Sequence, residues 1–264
     1  MIHVATVHWR TDRWIGVQEK YLRKHLKSPY QVYAWFNDVT PARLDPYFFA
    51  CFEPVNEHEI KLNILADIIC SCAESDEDIL IFLDGDAFPV ADVEPYLAEK
   101  LPAHKLVAVQ RRENNGDTQP HPCFCATTVG FWKRIKGDWK RGHKWKNGQG
   151  EWITDPGGNL LKLLEDGRID WHPMLRSNRR NPHPVLFGVY DALVYHHGAG
   201  FRGSVTRLDE INRKKNATAM EKTLSILPWY RHDVRRKIRE ENRRMGEEIF
   251  GAIQAEGDFV NQFL

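Results

Sequence analysis

The feature that most constrains the fold of this chain is a series of unbroken apolar runs in its first half. Four of these runs predict strands, over residues 2–7, 31–36, 79–83 and 106–109. Strands that are apolar on both faces are typical of a parallel sheet with helices covering its two sides. The chain therefore needs helices between these strands.

Helical patterns occupy those gaps. One helix is predicted over about residues 13–26 and another over about 58–73. Strand and helix in alternation indicate an α/β fold, with a Rossmann-like sheet and right-handed connections. The second half is less regular. The elements expected there are a strand over 120–132, a polar loop over 133–151, a helix over 155–164 and strands near 171 and over 189–195.

The C-terminal part of the sequence follows a different pattern. We expect one domain over residues 1–205 and a helical C-terminal extension over 206–264. Between residues 230 and 253 the apolar side chains follow one helical stripe, and the opposite face is rich in arginine. Such a helix either docks its stripe on the domain or makes a peripheral contact with an anionic membrane surface. We expect mainly docking.

Composition excludes one broad class of partner. The sequence has 37 basic and 36 acidic residues, so no general attraction to nucleic acid is expected. No apolar run reaches the roughly 18 residues of a membrane span, and because the first strand is predicted to begin at residue 2, no signal peptide is expected. Five cysteines in no regular pattern are typical of reduced thiols. A cytoplasmic protein is predicted, with at most peripheral membrane contact.

Two acidic residues stand directly after the third apolar run. Asp84 and Asp86 follow residues 79–83, and open parallel sheets bind ligands outside the carboxyl ends of their strands. Carboxylates one residue apart supply hard oxygen ligands for Mn²⁺ or Mg²⁺. Gly85 permits a tight turn between them. An acidic turn that only caps a strand is the alternative, but the buried strand ahead of the pair favours a metal site.

This segment resembles the Asp-x-Asp motif of the GT-A glycosyltransferases over the run Leu83-Asp84-Gly85-Asp86-Ala87-Phe88-Pro89. The order of elements extends the resemblance over about residues 1–205. It implies Asp86 as the primary metal ligand and Asp84 as the secondary one, with Asp84 also contacting the nucleotide. It also implies that the metal neutralises the leaving diphosphate, which makes Asp86 a catalytic residue.

A second segment resembles the same superfamily. Several metal-dependent GT-A enzymes take a third protein ligand from a late histidine followed closely by glycine, and His196, His197, Gly198 and Gly200 fit this description. The His-x-Gly-x-Gly spacing selects His196. Adjacent residues of a strand point to opposite faces, so at most one of the two histidines faces a metal. Arg202 follows, and we expect it to contact the diphosphate.

Further donor contacts are implied by the resemblance. They belong to the first strand with its following loop and to the helix that precedes the Asp-x-Asp motif. These residues are Thr6, Val7, Trp9, Arg10, Asn63 and Asp67. On the acceptor side, Asp155 is the expected general base, although its position before Pro156 suits a helix cap equally well.

Together these features predict a hexosyltransferase-like enzyme that uses Mn²⁺ or Mg²⁺. It would move a sugar from a nucleotide-sugar, with UDP as the expected nucleotide, to a glycan or other hydroxyl acceptor in glycan or cell-surface polysaccharide synthesis. One alternative is a nucleotidyltransferase acting on sugar phosphates, but residues 7–10 lack the glycine-rich loop usual after its first strand. The other is a non-catalytic sugar-binding module with a vestigial metal site.

Overall fold

A computed structural model describes residues 1–198, 205–255 and 259–264. The strands in this part of the chain are β1 (Ile2–Trp9), β2 (Tyr30–Asn37), β3 (Phe49–Cys51), β4 (Ile79–Asp84), β5 (Ala87–Pro89), β6 (Leu106–Val109), β7 (His121–Thr128), β8 (Trp145–Lys146), β9 (Trp152–Ile153), β10 (His172–Met174), β11 (Gly188–Tyr190) and β12 (Val194–His196). The helices are α1 (Ile15–His25), α2 (His58–Cys72), α3 (Val93–Lys100), α4 (Val129–Ile135), α5 (Gly158–Asp166), α6 (Arg207–Asn216), α7 (Ala219–Leu224) and α8 (Pro228–Gln254), followed by a 3₁₀ turn over Phe259–Gln262.

The central sheet has seven strands in the order β10-β6-β7-β4-β1-β2-β3. Strands β3, β2, β1 and β4 are parallel neighbours, and β10 is parallel to β6. Only β7 runs against its neighbours β4 and β6. The predicted α/β class is confirmed, and the sheet is mixed because of this one strand.

Both faces of the sheet are covered, as the apolar runs predict. Along β4, Ile81 and Leu83 pack in one hydrophobic cluster, which α1 and α3 complete. Leu80 and Phe82 pack in a second cluster on the other face, with α2, α4 and α5. This alternation follows from the two-residue period of side chains along a strand.

Three elements of the second half differ from the prediction. The expected strand over 120–132 ends at Thr128, whose hydroxyl accepts a hydrogen bond from the Phe131 amide at 3.1 Å and caps α4. The expected loop over 133–151 holds the end of α4 and strand β8, which pairs with β9. The expected strand over 189–195 is the hairpin β11–β12, whose turn places Asp191 and Ala192 at φ 48° and 52°.

The predicted helix over 155–164 also begins later than expected. Its N-cap is Gly157 at φ 93°, a left-handed conformation that favours glycine. The backbone carbonyl of Asp155 accepts from the Gly158 amide at 3.0 Å, in a turn that precedes the helix. The Asp155 side chain is therefore not a helix cap.

A small second sheet, in the order β11-β12-β5, begins one residue after Asp86. Strand β12 pairs antiparallel with β5, and the register sets His196 opposite Ala87. Pairing between segments more than 100 residues apart thus brings the late histidine to the Asp-x-Asp turn.

The C-terminal half of α8 docks on the domain, as predicted for the whole helix. Phe250 and Ile253 are buried in a cluster with Trp14, and both guanidinium nitrogens Nη1 and Nη2 of Arg13 donate to the Glu247 carboxylate at 2.8 Å. The N-terminal half differs, because Val234 is its one buried residue before Asn242. No helix in the described ranges carries an apolar stretch long enough to cross a bilayer.

Candidate metal centre

The carboxyl ends of β1 and β4 line a cleft of about 420 Å³. This volume lies within the range of small-molecule and cofactor sites. A larger cavity of about 650 Å³ lies at the opposite end of the same strands, beside Met1 and Ile79. Among the described residues, the one group of side chains spaced to hold a metal lies at the first cleft.

That group consists of Asp84, Asp86 and His196, whose ligand atoms all lie within 4.8 Å of one another. The His196 Nε2 atom is 3.5 Å from Oδ1 of Asp86 and 3.8 Å from Oδ2 of Asp84. Two ligands of one Mg²⁺-sized ion lie roughly 3 to 4 Å apart, so the spacing and the donor types fit a divalent cation. The two sequence motifs therefore come together as the resemblance to GT-A glycosyltransferases implies.

The turn between the two aspartates packs closely against the end of β1. The Gly85 amide donates to the Val7 carbonyl at 3.1 Å. A Cβ atom on Gly85 would lie 2.6 Å from this carbonyl oxygen and 2.8 Å from Nδ1 of His8. No side chain fits there, so glycine is required for the turn to present both carboxylates to the cleft.

The two adjacent histidines have different surroundings. His196 faces the carboxylates, whereas the His197 ring lies 4.4 Å from the Trp14 ring and 4.8 Å from the Phe187 ring, centre to centre. Burial lowers the pKa of His197 to about 4, against the opposing charge of Asp86. His197 therefore packs as a neutral core side chain.

Gln18, which was not predicted from the sequence, fixes the backbone of the turn that carries the two aspartates. Its buried amide group donates to the carbonyls of Asp84 and Ala87, both at 2.8 Å. Its carbonyl oxygen accepts from the Thr6 hydroxyl at 3.0 Å. Thr6, an expected nucleotide contact, is fully buried in this relay and is not part of the cleft lining.

His58 stands at the first residue of α2 and contacts the metal centre from the side. Its Nε2 atom lies 2.9 Å from Oδ1 of Asp84, while Oδ2 of the same carboxylate faces His196. A neighbour on each oxygen restricts rotation of the Asp84 carboxylate.

Arg111 and His121 line the cleft beside this group, and neither was predicted. Nδ1 of His121 accepts from the Cys123 amide at 3.1 Å, which places the proton of the neutral ring on Nε2. This nitrogen lies 3.4 Å from Nη1 of Arg111. Desolvation and the Arg111 charge hold the pKa of His121 well below its ordinary value. A guanidinium and a neutral N–H donor therefore stand together, an arrangement suited to an anion.

Of the remaining nucleotide contacts predicted on β1 and the loop after it, some line the cleft and one does not. Val7 and Trp9 line the cleft. The cations of Arg10 and Lys61 lie 5.0 and 5.2 Å from the centre of the Trp9 ring. Arg10 itself is exposed, 3.4 Å from the Asp38 carboxylate, and does not line the cleft.

The two predicted contacts on α2 lie away from the cleft. Asn63 donates to Asp138 at 2.6 Å and accepts from the Trp139 amide at 2.9 Å, so it holds the turn after α4. Asp67 is exposed. Since α2 starts at the cleft with His58 and rises about 1.5 Å per residue, only its first turn reaches the site. Arg202 lies outside the described residues.

Asp155, the predicted base, is not among the side chains that line the cleft, but the charges of Arg111 and His58, which do line it, act on its carboxylate. Burial raises its pKa above the ordinary value, and the positive charges of Arg141 and Arg111 oppose the shift. A carboxylate with a raised pKa accepts protons more readily, which is the property that a general base needs.

Comparisons with known proteins give structural likeness alone. No family model matches the chain, and no curated protein matches it. The mannosyltransferase PcManGT from Pyrobaculum calidifontis, in complex with GDP-Man and Mn²⁺, is 14% identical, with a TM-score of 0.40 over 53% of this chain and 47% of that one. TarS from S. aureus is 12% identical, with a TM-score of 0.37 over 53% and 30%. The glycosyltransferase GlyE from Streptococcus pneumoniae is 14% identical, with a TM-score of 0.36 over 51% and 35%. The chain spans half or less of the length of these structures.

The different surroundings of the two histidines predict opposite effects of their removal. His196→Ala should weaken Mn²⁺ binding at least tenfold, because one of three ligands is lost, while the melting temperature changes little. His197→Ala should lower the free energy of unfolding by about 1–3 kcal/mol and leave Mn²⁺ affinity within about twofold. Calorimetric titration and thermal melts measure both effects, and the reverse pattern would contradict the assignment.

A second prediction concerns Gln18. Gln18→Leu keeps much of the volume but leaves the carbonyls of Asp84 and Ala87 without their donor, at about 1–3 kcal/mol each. Lower stability and several-fold weaker Mn²⁺ binding should follow, because the turn is no longer fixed. Thr6→Val is the matched control, since it removes a hydroxyl that contacts Gln18 alone in this relay, and its effect should be smaller. Unchanged Mn²⁺ affinity in Gln18→Leu would show that the turn keeps its shape without the two hydrogen bonds from Gln18.

Proposed function

We propose that this protein is a metal-dependent glycosyltransferase. It moves a sugar from a nucleotide-sugar donor, with UDP as the expected nucleotide, to a hydroxyl of a glycan or other acceptor. The observation that carries the proposal is the convergence of Asp84, Asp86 and His196 in a cleft at the carboxyl edge of the sheet. The resemblance of both sequence motifs to GT-A glycosyltransferases supports it.

Each side chain of the centre has a role in this proposal. Asp84, Asp86 and His196 would hold Mn²⁺ or Mg²⁺, which when bound supplies positive charge to the leaving diphosphate. Gln18 and His58 keep the aspartates in place through the contacts described above. The side chains thus form a preorganised site, whose geometry does not have to be built during the reaction.

Arg111 and His121 are the proposed phosphate contacts of the protein itself. Both stand in the lining of the cleft that also contains the aspartates. Arginine recognises phosphate through paired N–H donors, and the Nε2 proton of His121 adds a neutral donor. They offer the positive charge and hydrogen bonds that the sequence interpretation assigned to Arg202.

Asp155 is the proposed general base. The acceptor oxygen forms a bond to the anomeric carbon of the sugar, and the bond from that carbon to the diphosphate oxygen breaks. The hydroxyl proton passes to the Asp155 carboxylate, whose raised pKa favours this transfer.

The two alternatives release different products. Glycosyl transfer or slow hydrolysis releases a nucleoside diphosphate from UDP-, GDP- and dTDP-sugars, and CMP from CMP-sugars. A nucleotidyltransferase joins a nucleoside triphosphate to a sugar phosphate and releases pyrophosphate. A sugar-binding module releases neither. Two incubations with Mn²⁺ separate the three functions. One contains UDP-, GDP-, CMP- or dTDP-sugars and is assayed for the released nucleotide, and the other contains nucleoside triphosphates with sugar 1-phosphates and is assayed for pyrophosphate. Pyrophosphate release in the second incubation, or donor binding with no nucleotide release in the first, would contradict the proposal.

Donor binding should depend on divalent metal, because Asp84 and Asp86 repel the diphosphate when no cation lies between them. EDTA should weaken binding of the preferred nucleotide-sugar at least tenfold in calorimetry, which corresponds to about 1.4 kcal/mol. Equal affinity with and without EDTA would remove the metal from the proposal.

The base is tested separately with Asp155→Asn. This variant should bind the donor with unchanged affinity and transfer sugar about a hundredfold more slowly, a typical loss for a general base. Asp138→Asn serves as the control, since the Asp138 carboxylate accepts hydrogen bonds from Asn63 and Asn159 and has a structural role. Unchanged transfer by Asp155→Asn would assign the base to another group.

A further inference from the structure

The charge of this chain is unevenly distributed. Residues 206–244 contain twelve Lys and Arg and six Asp and Glu, a net charge of +6, while the whole chain carries +1. The rest of the sequence therefore carries −5. This segment comprises α6, α7 and the first part of α8, so the positive charge is concentrated on one part of the surface.

Helix α6 is attached to the domain at its N-terminal end, where Arg207 contacts the Glu151 carboxylate and Asp209 contacts His183. Asp209 accepts from the Thr206 amide at 2.7 Å and from the Asn242 side chain at 3.2 Å. Its other oxygen lies 3.0 Å from Nε2 of the buried His183. The helix is thus held at its N-terminus, against the domain on one side and α8 on the other.

In the part of the chain that the structure describes, α7 has no buried residue and Val234 is the one buried residue in the first half of α8. No residue of α6 or α7 is buried, although capping boxes at Thr206 and Thr218 stabilise both helices locally. The segment from α7 to the start of α8 exposes large apolar side chains: Met220 of α7 is 71% exposed, Ile226 of the link between the helices 74% and Trp229 of α8 64%. A cluster of exposed apolar groups of this kind marks an interaction surface.

We propose that α7 and the first half of α8 lie on an anionic lipid bilayer. Lys222 and Arg231, both exposed, each stand two residues after an exposed apolar side chain, Met220 and Trp229, so the segment combines basic and apolar side chains. Stable interfacial binding needs both contributions, the electrostatic attraction of basic residues to anionic lipid and the insertion of Trp and aliphatic side chains at the headgroup boundary. This surface supplies both.

The charge distinguishes the bilayer from a second copy of the chain. Residues 219–241, which form this surface, contain six Lys and Arg and four Asp and Glu, a net charge of +2 within the +6 segment. A symmetric dimer through this surface would bring two positively charged segments together, and like charges across an interface are unfavourable. The cleft is lined by Thr206 and Arg207 at the start of α6, the helix that precedes α7 in the chain. Binding in this way would hold the cleft close to the membrane surface. The proposal does not depend on the chemistry of the cleft.

Co-sedimentation of the full chain with vesicles tests the proposal. Vesicles of phosphatidylcholine with 30% phosphatidylserine should bind the protein, and pure phosphatidylcholine should not. Raising the salt from 50 to 500 mM should weaken binding at least tenfold. Trp229→Ala, and separately the double variant Lys222→Glu with Arg231→Glu, should each weaken binding at least fivefold. None of these residues is buried, so thermal melts should be unchanged.

Matched variants elsewhere on the surface control for general effects. Trp152, 65% exposed on β9, is the counterpart of Trp229, and Lys140 with Lys144 are exposed counterparts of the basic pair. Trp152→Ala, and Lys140→Glu with Lys144→Glu, should bind vesicles within twofold of the wild type. Lipids brominated in the acyl chain should quench tryptophan emission of Trp152→Ala more than that of Trp229→Ala.

Four results would overturn the proposal. These are vesicle binding that is absent or equal on neutral lipid, equal losses in the control variants, tighter binding to single-stranded nucleic acid than to vesicles, and a dimer in sedimentation velocity that Trp229→Ala abolishes. The last result would assign the surface to a second copy of the chain.

Discussion

The structure depends on one tight contact, between the turn after β4 and the carboxyl end of β1. The Gly85 amide reaches the Val7 carbonyl, and the space beside it is too small for a side chain. Parallel pairing of β1 with β4 sets Val7 opposite Asp84, so the turn begins where the strands end. Gln18 then fixes the backbone on both sides of the turn. The directions of both aspartate side chains follow from these constraints, and with them the position of any cation.

The remaining parts of the site are brought to this turn by long-range pairing. Strand β12 adds to β5 and carries His196 to the aspartates. Because β7 runs against the sheet, its first residue lies at the edge where β4 ends, which places His121 in the cleft. Arg111 follows β6 at the same edge. Acidic and basic groups therefore meet along one sheet edge, an arrangement that suits a negatively charged ligand held with a divalent cation.

Local sequence patterns predicted much of the sheet and of the candidate metal centre. They missed other residues of the site for physical reasons. Unbroken apolar runs gave the bounds of β6 without error and those of β4 to one residue. Strand alternation indicated that at most one of the two histidines faces the metal, and the His-x-Gly-x-Gly spacing selected His196. Apolar runs carry no information on strand direction, so the reversal of β7 and the position of His121 could not be foreseen. A single glutamine in an amphipathic helix looks like a solvent-exposed residue until its two carbonyl partners are known, which is why Gln18 was missed. Arg111 could have been predicted as a site residue, since it closely follows the end of a predicted strand, as Asp84 does.

The central claim is that one divalent cation is held by the two aspartates and His196, and titration of the chain with Mn²⁺ tests it most directly. Calorimetry with and without a nucleoside diphosphate should give one ion per chain, bound more tightly when the nucleotide is present. The double variant Asp84→Asn with Asp86→Asn should retain the fold in circular dichroism and lose this binding. A wild-type chain that binds no Mn²⁺ under either condition, or a double variant that binds it with equal affinity, would contradict the account.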